Sequence, residues 1–186
     1  MTTSSAKKTF YIFSTVSSIW AVVYGFIGPY FVIKVKELSD GVEKLGIAFG
    51  IMIFLQAVSS YFSGHYADKV GRKPILIATA VVEAVTMFLY TIVTQTYQLY
   101  ILQAILGITN GVMGTIKTVI LGDITIREFR GQTVGKFQAA VSFASAAGVA
   151  LSGYMVKYLG INYLFYLASA VVILSSLLLF FMKDEG

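Results

Sequence analysis

A run of cations punctuated by glycines, one acid and one base inside apolar surroundings are the groups in this 186-residue chain most able to do chemistry. Gly64-His65-Tyr66-Ala67-Asp68-Lys69-Val70-Gly71-Arg72-Lys73 spells G-x-x-x-D-K-x-G-R-K between two long apolar segments. Gly71 permits a turn, and Gly64 admits a closely approaching backbone. Arg72 offers a planar fork suited to a carboxylate. Glu83 and Lys117 fall inside apolar runs. A charge at the centre of a bilayer costs at least ~2.5–3.5 kcal/mol, so such groups need a partner or a wet cavity. Glu83 lies nine residues beyond Pro74, about 13 Å along a helix and so near the midplane. It is a candidate proton carrier, or else the acceptor of a structural hydrogen bond within a helix bundle. For Lys117 the alternatives are a role in a cavity and pairing with Asp123 or another acid at the same helix end. Six residues apart is not one helix face, so a direct pair with Asp123 would require the Lys stem to stretch.

Other chemistries find no support. The chain has one His and no Cys, which argues against a metal site and leaves disulfides out. No Ser-His-acid set, paired catalytic carboxylates or phosphate-binding glycine loop can be assembled, so neither an enzyme nor a cofactor is expected. The net charge of +5 sits in short loops without a basic stripe interleaved with aromatics, so no nucleic-acid partner is expected.

The groups that remain must be positioned by helices in lipid. The chain is 57% hydrophobic and 12% charged, with a mean hydropathy of +0.80; soluble domains are about 45–50% apolar and about 25% charged. In a bilayer every backbone polar group must be satisfied internally, and continuous rather than alternating apolar runs favour helices over a barrel. A span needs about 20 apolar residues. Six segments qualify: 10–33, 45–66, 74–94, 99–122, 137–158 and 163–182. The expected fold is all-α, a single domain over 1–186. Pro74 suits a first helical turn, and Pro29 should loosen the outer end of the first helix. With the N-terminus inside, Lys7, Lys8, Lys69, Arg72, Lys73, Arg127, Arg130, Lys136 and Lys183 are cytoplasmic. Lys34, Lys36, Lys44 and Lys157 are external, the first three beside Glu37, Asp40 and Glu43. That balance places both termini in the cytoplasm, in an inner or plasma membrane.

Small residues recur on two helices: Gly46, Gly50, Ala57, Ser60 and Gly64 on the second, Ala140, Ala144, Gly148 and Ser152 on the fifth. Steps of three and four keep residues on one face, and small faces let membrane helices pack closely. These stripes serve either packing within one bundle or an interface with another.

The G-x-x-x-D-K-x-G-R-K loop resembles the signature loop between the second and third helices of major facilitator superfamily carriers. The resemblance covers nearly the whole chain. Gly25-Phe26-Ile27-Gly28-Pro29 is similar to the glycine–proline pattern of drug-exporting members, and Gly160-Ile161-Asn162-Tyr163-Leu164-Phe165 to the family's G-W-R-x-x-F. Family carriers have twelve helices in two six-helix halves, and this chain looks like the first half. The resemblance implies that Arg72 pairs with Asp123. It also implies that Asp68 faces a helix N-terminus of the opposite half, and that Gly64, Asp68, Gly71, Arg72, Lys73 and Asp123 form a cytoplasmic latch. The alternative is a solvated topology anchor. It implies a central cavity lined by Trp20, Tyr24, Asn110, Met113 and Lys117, bordered by Gln56 and Gln138; Trp20 and Tyr24 are equally readable as packing residues. The helices at positions two and five cross between halves in the family, so Gly46, Gly50, Ala57, Ser60, Ala144, Gly148 and Ser152 would meet a partner.

Two departures matter. The family's antiporter motif G-x-x-x-G-P-x-x-G-G reads Ala144-x-x-x-Gly148-Val149-x-x-Ser152-Gly153 here, without the proline. Gln103 stands four residues before Gly107, where the family often has an Arg linked to proton coupling. The implied function is secondary-active transport of a small solute by alternating access, with protons a candidate coupling ion. A parallel homodimer with a two-fold axis along the membrane normal would rebuild the twelve-helix carrier. The chain as the N-terminal half of a larger carrier, or as a non-transporting membrane partner, is the alternative.

Overall fold

The computed structural model describes residues 4–38 and 42–182, with side chains except at 4–6, 30, 37, 38, 42 and 68. Assignments resting on Asp40, on Lys183 and on the side chains of Glu37 and Asp68 therefore lie outside the described residues. The described chain is helical: α1 (Ser4–Leu38), α2 (Val42–Val70), α3 (Arg72–Leu89), α4 (Thr96–Ile124), α5 (Arg130–Leu159) and α6 (Ile161–Ser176). A 3₁₀ turn at Arg127–Phe129 precedes α5, and another at Leu177–Phe181 extends α6. Among the described residues, α1, α2, α4, α5 and α6 are long and apolar enough to cross a membrane. The 18-residue α3 carries Arg72, Lys73 and Glu83.

Helix ends depart from the apolar runs for local reasons. α1 extends into polar flanks on both sides and continues past Pro29, because each added helical residue gains a hydrogen bond once the helix exists. α3 stops at Leu89 rather than near Thr94. There Thr91 and Ile92 donate to the carbonyls of Phe88 and Leu89, and the β-branched run Thr91-Ile92-Val93-Thr94 is a weak helix former. α4 starts early, at Thr96, because Gln95 and Gln98 cap it reciprocally. The Gln98 side-chain oxygen accepts from the backbone N–H of Gln95 at 3.1 Å and of Thr94 at 3.0 Å. Gly71 (φ 91°) and Gly160 (φ 84°) make the α2–α3 and α5–α6 turns in the region that side chains avoid.

The helices pack in the order α2–α4–α3–α6–α1–α5, with a lighter α1–α4 contact. The first and last three helices play matching parts: α1 packs on α5 and α6 as α4 packs on α2 and α3. The core has an inner cluster around Phe13, Trp20, Leu76, Met113, Ile116 and Phe137, with Phe13 stacked on Phe137 at 5.3 Å. An outer cluster centres on Phe31, Tyr90, Leu99 and Phe165, where Phe31 and Tyr90 meet edge to face at 5.6 Å.

The end members of that order are bare. Of their apolar spans, 6% of α2 and 11% of α5 are buried, against 39–44% for α1, α4 and α6. Each holds only one close neighbour, and glycine makes that closeness possible. A Cβ at Gly107 would strike the Met52 carbonyl, and one at Gly111 the Gln56 carbonyl, so α4 admits α2 by lacking them. A Cβ at Gly25 would strike the Ser145 carbonyl, and one at Gly148 the Val22 carbonyl, so α1 and α5 seat each other likewise.

The residues of the two small-residue stripes divide between these roles. Gly148 and Ser152 are buried on the α1 side of α5, and the Ser60 hydroxyl donates to the Gly111 carbonyl of α4 at 3.3 Å. These three serve packing inside this unit. Gly46, Gly50 and Ala57 remain exposed and Ala144 half-exposed. Gly64 admits no close backbone among the described residues, since a Cβ there meets open space.

Candidate functional site

At the end of the bundle holding the cationic loop, Arg72 begins α3 immediately after the Gly71 turn. Its Nε lies 3.1 Å from Asp123 Oδ2 at the end of α4. Lys73, the next residue, turns to α6 instead: its Nζ donates to the carbonyls of Phe180 and Met182, each at 2.8 Å. Arg130 closes the α4 terminus, donating from Nη2 to the Gly122 carbonyl at 3.2 Å and from Nε to Thr125 Oγ1 at 3.3 Å. Cations thus meet the negative ends of two helix dipoles, α4 and α6.

Deeper in the bundle, a polar string crosses four helices. The Tyr24 hydroxyl of α1 donates to Glu83 Oε2 on α3. Glu83 is 1% exposed, and its Oε1 has no hydrogen-bond partner among the described residues. Lys117 of α4 interacts electrostatically with Glu83 and holds its Nζ 5.1 Å from the centre of the Trp20 ring, a cation–π distance. The Trp20 indole donates to Ser175 Oγ of α6 at 2.9 Å. The acid and base that stood apart in the sequence therefore share one environment. Asp123 lies within ion-pair distance of Arg72, while Lys117 and Glu83 sense each other's charge without a close ion pair between them. Opposite charges offset part of the cost each has in apolar surroundings.

The five residues expected to line a cavity divide. Trp20 and Met113 are 1% and 3% exposed and belong to the inner core cluster. Tyr24, Asn110 and Lys117 are half-buried on α1 and α4. Gln56 and Gln138 are exposed on the bare helices. Sequence reasoning passed over the Trp20–Ser175 bond and the helix-end role of Lys73. Ser175 and the α6 carbonyls carry no signal in one dimension. Gln103, in contrast, is buried at 1%.

A helical bundle with two bare flanking helices, a buried acid–base string and cation-bound helix ends defines a multi-pass membrane unit. A family model described as the Major Facilitator Superfamily matches residues 9–186, and the chain belongs to that superfamily. It is 33% identical over 172 residues to the "Uncharacterized MFS-type transporter YuxJ" of Bacillus subtilis, covering 91% of this chain and 43% of that protein. It is 26% identical to "Multidrug resistance protein MdtG" of Dickeya zeae, covering 96% of this chain and 45% of the relative. The counterpart from Proteus mirabilis is 25% identical, with 98% and 46% covered. The chain spans less than half the length of these curated relatives.

Proposed function

We propose that this chain is one six-helix half of a secondary carrier that moves a small solute across the plasma membrane by alternating access. The observation that carries the reading is the bareness of α2 and α5 beside the burial of α1, α4 and α6. Leu-rich and aromatic helix faces tolerate lipid, but α2 also carries Gly46, Gly50 and Ala57 on open surface, and α5 a half-exposed Ala144. Small residues in lipid bury little, and against another helix they allow close packing. A second six-helix unit on these faces completes the transport path.

In this reading α3 is the sixth span, both termini are cytoplasmic, and Arg72–Asp123 closes the cytoplasmic side with Asp68 and the loop glycines. Tyr24, Asn110 and Lys117 face the solute, and Glu83 carries a proton or holds Tyr24 in place. Relatives named for multidrug resistance favour an amphipathic organic solute. The relatives' greater length favours a second half on the same polypeptide. The homodimer is the second reading, supported by an even number of spans that sets both termini on one side, so two copies insert in parallel.

The test is drug flux in proteoliposomes. A fluorescent cationic drug should move under an imposed proton gradient when this unit is joined to a second six-helix unit, and Glu83→Gln should remove the gradient dependence. Flux that ignores both the gradient and Glu83 would overturn the proton role. Failure of every two-unit preparation to move solute would overturn the carrier.

A further inference from the structure

The last carbonyls of any helix lack intrahelical donors, and α6 ends in a 3₁₀ turn whose carbonyls need partners from elsewhere. Lys73 Nζ supplies them. It donates at 2.8 Å to Phe180 and at 2.8 Å to Met182, and lies 5.9 Å from the centre of the Phe180 ring. Among the described residues the acceptors are backbone oxygens, 107 and 109 residues away in sequence. The neighbouring Arg72 holds Asp123 at the end of α4. Both side chains leave the first turn of α3, fixed by Gly71, whose N–H donates to the Ala67 carbonyl at 3.1 Å. One short rigid segment therefore grips two helix ends at once.

We propose that Lys73 is a positioning residue that ties the end of α6 to the Arg72–Asp123 pair, so that the two helix ends are held and released together. Moving α3 away from Asp123 draws Nζ off the α6 carbonyls, and the last turn of α6 frays. The inference stands on these contacts and not on the transport reading.

Backbone hydrogen exchange of the full chain in nanodiscs, read by mass spectrometry, tests it. In Lys73→Met, exchange over 177–182 should quicken about tenfold, the loss expected when charge-assisted bonds go. Lys73→Arg, which keeps charge and donors, should restore protection. Asp123→Asn, far from α6 in sequence, should also quicken 177–182. Residues 76–87 in the middle of α3 should stay protected in all three. Unchanged exchange over 177–182 in Lys73→Met or in Asp123→Asn would overturn the proposal, as would equal loosening over 76–87. If Lys73→Met does not fold, Asp123→Asn against the wild type decides alone.

Discussion

Glu83 and Lys117 stand 34 positions apart on α3 and α4, yet each lies within electrostatic reach of the other. Removing one leaves the other uncompensated, which is costlier than removing both. Glu83→Ala also takes the acceptor from Tyr24. We expect Glu83→Ala and Lys117→Ala each to lower stability by about 1–3 kcal/mol. The double variant should lose less than the sum, with a coupling of about 0.5–3 kcal/mol. Denaturation midpoints in detergent measure this, and strict additivity would show that the two do not communicate. Both groups were visible in the sequence as charges out of place. Their proximity was not, because periodicity along one helix finds neighbours on that helix and so offered Asp123 to Lys117. The Arg72–Asp123 pair was legible because a family pattern specified two helices at once.

Helix packing divides the glycines into those that a neighbour demands and those it does not. Gly107→Ala drives a Cβ into the Met52 carbonyl and Gly148→Ala drives one into the Val22 carbonyl. Overpacking of this kind costs about 1–3 kcal/mol. Gly50→Ala meets open space and should change the stability of this unit by less than about 0.5 kcal/mol. Thermal unfolding of the three variants checks the contrast; equal losses would refute the α2–α4 and α1–α5 crossings. The positions of the helices were legible from apolar run length, since lipid leaves the backbone few alternatives. Their ends were not, because Gln95 and Gln98 start α4 by side-chain capping, which hydropathy does not register. The stripe on α5 left its neighbour open for a related reason. A step of four marks one face but not which neighbour covers it, and α1 covers Gly148 and Ser152.

At the scale of the molecule, the order α2–α4–α3–α6–α1–α5 leaves its two ends open, and in the proposed reading a second six-helix unit covers them. The proposed orientation is checkable because the chain has no Cys. A single cysteine at Tyr97, 62% exposed in the first turn of α4, should react with a membrane-impermeant maleimide from outside intact cells. One at Gln132 should react only after permeabilisation, and the reverse pattern would invert the topology. The most direct measurement of the central claim is the mass of the particle that carries this chain, purified from the membranes of its own cells into nanodiscs. Two six-helix units in one particle, with Phe54 of α2 and Phe143 of α5 shielded from lipid-soluble label, is the predicted result. A particle holding one 20.3-kDa chain, with both phenylalanines open to that label and solute flux intact, would contradict it.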